Sequence, residues 1–183
     1  RDRAEVELGF YLASFGMLRG STQLFWKNSL VFGPIIEEFF SYVKTNNIVV
    51  DGSPLDQETI YQLSDLIRKG FKENDIIINE ERTLFTKILM GVFACTPAFD
   101  TYFKKSVREF KKEHKDDSSV QRLGVELFCG NKEKDIETLE AWIAFVNRPE
   151  VKKFFKEASP KFHNSKKYPI MRTVDLYFWF LGL

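Results

Sequence analysis

Four ionisable residues sit where the surrounding chain is apolar. Arg19 follows Gly16-Met17-Leu18, Lys87 stands between Thr86 and Ile88-Leu89-Met90, Asp100 follows Pro97-Ala98-Phe99, and Asp175 lies between Val174 and Leu176. A charge removed from water costs several kcal/mol unless it is paired and hydrogen-bonded, so residues placed like this need partners. Two kinds of partnership fit. One is a structural network in which Arg19 or Arg172 pairs with Asp175 and Asp100 serves the first turn of its own helix. The other is a site in which a carboxylate of altered proton affinity acts as base or nucleophile beside a cation. Asp175, Asp100, Arg19 and Lys87 are therefore the candidate catalytic set, and both readings stay open.

Other chemistry has little to stand on. The sequence carries no GxxxxGK[ST], strand-linked GxGxxG, HExxH or GxSxG, and no Cys/His group at metal-ligand spacing. Its two histidines, His114 and His163, lie in Lys-rich polar surroundings and read as surface residues. Cys95 and Cys129 sit far apart in apolar runs, where a thiol behaves as a small hydrophobe. No metal, cofactor or disulfide is expected, which points to a reducing compartment. No signal peptide is evident, and no apolar run reaches the roughly 18 residues of a membrane span. The run from Val174 to Leu183 is too short and contains Asp175. An opening on charged residues without Met reads as a trimmed N-terminus. The expectation is a cytoplasmic protein with no membrane partner.

Charge offers a third candidate feature. Residues 1–99 hold 10 Lys/Arg against 13 Asp/Glu, and residues 100–183 hold 17 against 13, for net charges of −3 and +4. Two stretches concentrate the excess. Lys104, Lys105, Arg108, Lys111, Lys112 and Lys115 face only Glu109 and Glu113, and Arg148 to Lys167 holds seven Lys/Arg, Lys152, Lys153 and Lys156 among them, against two Glu. Phe154, Phe155 and Phe162 interleave with the second stretch. Lysine clusters suit phosphate backbones and exposed aromatics can stack on bases, so nucleic acid joins protein as a partner class. The alternative is a solvated helix face with its Phe residues turned inward.

The elements that must position these residues are helices. The chain has 183 residues, 44% of them hydrophobic, with 19 Phe against only 10 Gly and 6 Pro. That composition suits one domain of helices packed through bulky aromatic seams. Apolar residues at helical spacing predict helices over 5–19, 23–30, 34–45, 55–72, 80–95, 97–112, 135–147, 149–158 and 169–183. Asn79 and Asp135 are the expected caps of two of them, and residues 120–129 fit either helix or strand. The prediction is an all-α, single-domain protein over 1–183, with about nine helices in an orthogonal, irregular bundle.

Three blocks carry a resemblance to a family: Leu8-Gly-Phe-Tyr-Leu-Ala-Ser-Phe-Gly-Met-Leu-Arg-Gly-Ser21, Leu84-Phe-Thr-Lys-Ile-Leu-Met-Gly-Val-Phe-Ala-Cys-Thr-Pro-Ala-Phe-Asp100, and Tyr168-Pro-Ile-Met-Arg-Thr-Val-Asp-Leu-Tyr-Phe-Trp179. The chain resembles a widespread family of uncharacterised bacterial helical proteins with these blocks in this order. The family's typical form has Trp at Phe15 and Ser at Thr22. The resemblance implies a bacterial, cytoplasmic setting and brings no reaction with it. Its blocks hold all four embedded polar residues. The last block also resembles the Pro-apolar-apolar-Asp pattern of helix-hairpin-helix DNA glycosylases, which would make Asp175 the aspartate and Lys87 the amine nucleophile. The glycine-bearing hairpin that precedes that aspartate has no match in this sequence.

With no catalytic motif in view, the leading expectation is a non-catalytic module that binds another macromolecule through its aromatic terminal helix. Nucleic-acid binding through the basic stretches and an enzyme built on the polar centre are the alternatives.

Overall fold

The computed structural model describes residues 2–18, 24, 27–50, 54–74, 76, 81–159 and 168–183. Arg19, Asn79, His163 and the basic run 160–167 lie outside the described residues. Those described form nine α-helices and no strand: α1 (Asp2–Ser14), α2 (Gly33–Thr45), α3 (Gln57–Glu73), α4 (Glu81–Phe93), α5 (Thr101–Glu113), α6 (Ser118–Gln121), α7 (Lys132–Asn147), α8 (Pro149–Ala158) and α9 (Ile170–Gly182). A 3-10 turn, Ser29–Phe32, leads into α2. The all-α expectation holds, and no described helix is long and apolar enough to cross a membrane.

Local chemistry sets the helix ends. α1 stops at Ser14 rather than running to Arg19, because Gly16 takes a left-handed backbone with φ 68°. Gly16 N–H then bonds the Ala13 carbonyl at 2.8 Å, and Met17 N–H reaches back to Leu12 at 3.0 Å. This is the paired closure that a left-handed residue permits past a helix end. α5 begins at Thr101 rather than 97, with Asp100 as its cap. α7 begins at Lys132 because Asn131, not Asp135, caps it by accepting from Lys134 N–H at 3.0 Å. Asp135 is instead buried in the first turn, where its carboxylate accepts from Cys129 N–H at 3.3 Å. Of the ambiguous segment 120–129, the start belongs to α6 and the rest is irregular, with Phe128 at φ 58°.

The phenylalanines do build the seams. Trp142 of α7 is 1% exposed, and Phe99, Phe103, Phe145 and Phe178 surround it at ring separations of 5.3 to 6.3 Å. Most of these contacts are edge-on, the arrangement that aromatic quadrupoles favour. Through this nest α5 and α9 form the most extensive helix pair. A second run of rings, Phe32–Phe71–Phe85–Phe128, links the 3-10 turn, α3, α4 and the 122–131 loop.

α2 and α3 cross where α3 presents Gly70. A Cβ there would lie 2.5 Å from Ile35 Cγ1 and 3.3 Å from Ile35 N. In an exposed helix, Gly→Ala stabilises by up to about 1 kcal/mol. At this crossing overpacking outweighs propensity, so Gly70→Ala should lose roughly 1–3 kcal/mol, read as a lower urea midpoint at unchanged m-value.

Candidate polar centre and apolar groove

Three of the four embedded polar residues converge, and the joints between helices bring them together. Lys87 lies on α4 and is 5% exposed. Its Nζ stands 3.7 Å from Asp100 Oδ2, 3.5 Å from the Phe15 carbonyl and 4.9 Å from the centre of the Phe15 ring. The Phe15 carbonyl belongs to the C-terminal closure of α1, where unsatisfied carbonyls concentrate negative potential. Asp100 occupies the opposite kind of end. Its Oδ1 accepts from Phe103 N–H at 3.0 Å and caps the positive N-terminus of α5. Lys87 thus joins the negative end of one helix to the acidic cap of another.

Asp175, on α9, is 4% exposed. Its Oδ1 accepts from Ala98 N–H at 2.8 Å, in the loop between α4 and α5. Burial pushes its proton affinity up to a pKa of about 7, with Asp100 adding to the rise. The Ala98 bond, Arg172 and Lys87 act in the opposite direction. The expected Arg172–Asp175 ion pair is not the contact made. Arg172 Nη1 donates to the Tyr11 hydroxyl at 3.1 Å, and its guanidinium lies 5.7 Å from the Tyr11 ring centre and 5.4 Å from that of Phe15. Loss of water holds the Tyr11 phenol at a pKa of about 12, so it remains a neutral hydroxyl.

The α4–α5 loop is pinned from both sides. Thr86 Oγ1 accepts from Phe99 N–H at 3.0 Å, and Thr83 Oγ1 donates to the Phe99 carbonyl at 3.2 Å. Tyr11, Phe15 and Thr86 are thus part of the centre without being among the candidates, and Arg172, expected as a structural partner of Asp175, joins them. Their signal was spacing. Tyr11 and Phe15 stand one helical turn apart, as do Arg172 and Asp175, and Thr86 adjoins Lys87. Chemically the centre can hold protons and orient helix ends. Lys87 and Asp175 are too enclosed to meet a sizeable substrate without a change of structure. No group of three or more His, Cys, Asp or Glu suited to a metal ion occurs among the described residues.

Several of the basic candidates have partners within the fold. On α5, Lys104 bonds Glu126 at 3.3 Å, Lys105 bonds the Gly182 carbonyl at 3.0 Å, and Arg108 lies 3.7 Å from Glu126. Lys111 bonds the Leu123 carbonyl at 2.8 Å and Lys112 bonds Glu109 at 2.7 Å. Lys152, Lys153 and Lys156 are exposed on α8, beside half-exposed Phe154.

A larger feature adjoins the centre. α1, α2 and the end of α4 enclose an open groove of about 500 Å³, lined by Leu8, Tyr11, Phe40, Val43, Val50 and Val92 among others. Tyr11 belongs to both. Its ring packs against Gly91, where a Cβ would lie 2.4 Å away, while its hydroxyl faces Arg172.

Comparison of the chain with family models, with curated proteins and with solved structures finds no match.

The raised proton affinity of Asp175 links stability to pH. The folded state holds this proton more tightly than the ordinary carboxylate value of 3.8. Its contribution is therefore complete below pH 3.8 and is lost as pH rises toward 7, by up to about 4 kcal/mol. Asn keeps an oxygen for Ala98 N–H and has no charge to bury. Asp175→Asn should therefore gain stability over wild type between pH 5 and 8, the gain growing with pH in urea titrations. A gain independent of pH would contradict this account.

Proposed function

We propose that this chain is a non-catalytic macromolecule-binding module whose groove between α1, α2 and α4 receives an amphipathic helix of a protein partner. One observation carries the reading: the groove is apolar, concave and open, and its rim displays side chains that water does not favour. Phe40 is 66% exposed, Val50 49% and Val92 37%. Apolar rims of this kind mark interaction sites, and a groove between helices suits the apolar stripe of a third. Among the described residues Glu7 is the charged one in the lining, and its exposed partner Arg3 holds it by a surface ion pair worth little. The fitting partner therefore sets a Lys or Arg beside anchors spaced i, i+3 or i+4, and i+7.

The aromatic terminal helix, the surface expected from the sequence, adds a second exposed apolar area. Phe180 is 65% exposed and Leu181 56%, with Trp179 packed on Tyr102 at 5.8 Å. It offers a tip rather than a cavity, and we place it second. The nucleic-acid reading draws less support, because the α5 cations are engaged with carboxylates and carbonyls. The enzyme reading, including its glycosylase form, has the convergence of Lys87, Asp100 and Asp175 in its favour and their enclosure against it.

Selection from a displayed library of amphipathic helical peptides tests the proposal. Peptides that carry an apolar i, i+3/i+4, i+7 stripe and a flanking Lys or Arg should be enriched. Their affinity should fall at least tenfold on Phe40→Glu, a surface change that leaves the urea midpoint near wild type. Failure to enrich such peptides, or binding indifferent to Phe40→Glu, would overturn it.

A further inference from the structure

We propose that Arg172 is a two-position switch, turning from the Tyr11 hydroxyl to the Asp175 carboxylate when Asp175 loses its proton, and so releasing the wall of the groove. Arg172 and Asp175 lie three residues apart on α9, hence on one face and within reach of each other. Among the described residues the guanidinium makes one hydrogen bond, to Tyr11, and an arginine has five donors. Asp175 uses one oxygen for Ala98 N–H. An ionised carboxylate in this enclosure calls for a cation, and Arg172 is the nearest on its own helix. A charge-assisted pair to a carboxylate is also stronger than a bond to a neutral phenol.

The groups that bear on Asp175 can be named for each packed element. Lys87 comes from α4, Asp100 from the cap of α5, Arg172 from α9 itself and Tyr11 from α1. α5 otherwise meets α9 through Phe103 and Phe110 against Phe178, and α8 meets it through Phe154 and Phe155 against Tyr177. Lys87 is held by Asp100 and the Phe15 carbonyl, so Arg172 is the cation with freedom to move. Tyr11 does not titrate in this range. Its change is the loss of a hydrogen bond and of the cation over its ring, and it is the groove residue that feels the proton. The switch does not depend on what the groove binds.

The test is a pH titration of the full chain with tyrosine labelled by ¹³C at the ζ carbon, the Tyr11 signal being assigned with Tyr11→Phe. The signal should move with a one-proton midpoint near pH 7. Asp175→Asn should hold it at its low-pH position throughout. Arg172→Gln should abolish the movement while the Asp175 carboxyl carbon still titrates. A Tyr11 signal flat from pH 5 to 9 in the wild type overturns the switch, as does movement that persists in either variant. The wild-type titration decides the matter even where a variant fails to fold.

Discussion

Two helix ends of opposite polarity meet beside one buried ammonium group, and the arrangement of this protein depends on that meeting. The carbonyls closing α1 and the carboxylate capping α5 are both negative, and Lys87 stands within 4 Å of each. Without the lysine the Phe15 carbonyl and the Asp100 carboxylate would repel across a region with little water to screen them. With it, α1 is held against α4 and α5 by a contact that requires a specific geometry, which apolar packing alone does not. The α4–α5 loop completes the joint, because Thr86 and Asp175 occupy two of its amides and Asp100 caps the helix that follows.

Around this joint the phenylalanines tie the apolar core together. The nest at Trp142 and the run from Phe32 to Phe128 are part of one continuous core, so helices from both halves of the chain share a single apolar interior. Wide rings fill the space between helices, provided small residues occupy the closest approaches. Gly70 against Ile35 and Gly91 against Tyr11 are two such approaches. The same ring that fills the space at Gly91 then forms a wall of the groove, so the core, the polar centre and the proposed binding surface share Tyr11.

Much of this was legible in the sequence where the signal was local. Pro149 at a first turn and the 3.6-residue stripes are short-range properties, and α8 and α9 lie close to where they were expected. The burial of Lys87 and Asp175 followed from their apolar neighbours. The failures have physical causes as well. Asp135 looks like a cap because carboxylates favour first turns, yet Asn131 stood four residues earlier with the same capability. Arg172 looks like the partner of Asp175 because it is one turn away, but Tyr11, 161 residues distant in sequence, competes for the same guanidinium. The partners of the α5 cations were equally invisible along the chain, since Glu126 and the carbonyls of Leu123 and Gly182 reach Lys104, Lys111 and Lys105 only in the fold. Such partners are set by how helices cross, which spacing along one strand of sequence does not encode.

Asp175 is the residue that resists a purely structural account. Its hydrogen-bonding task is to occupy Ala98 N–H, and Thr86 performs the equivalent task at Phe99 with a neutral hydroxyl. An amide or hydroxyl at 175 could do the same work without the cost of desolvating a charge. Buried ionisable groups are poor stabilisers compared with neutral replacements of similar shape, so stability does not explain a carboxyl here. What a carboxyl has and an amide lacks is a proton that can leave. With Lys87 and Arg172 both acting on it, that proton sets how much negative charge the two cations must satisfy, and Arg172 is the one that holds Tyr11. A carboxyl at this position is therefore what the proposed movement of Arg172 requires, beyond the hydrogen bond that fastens the loop.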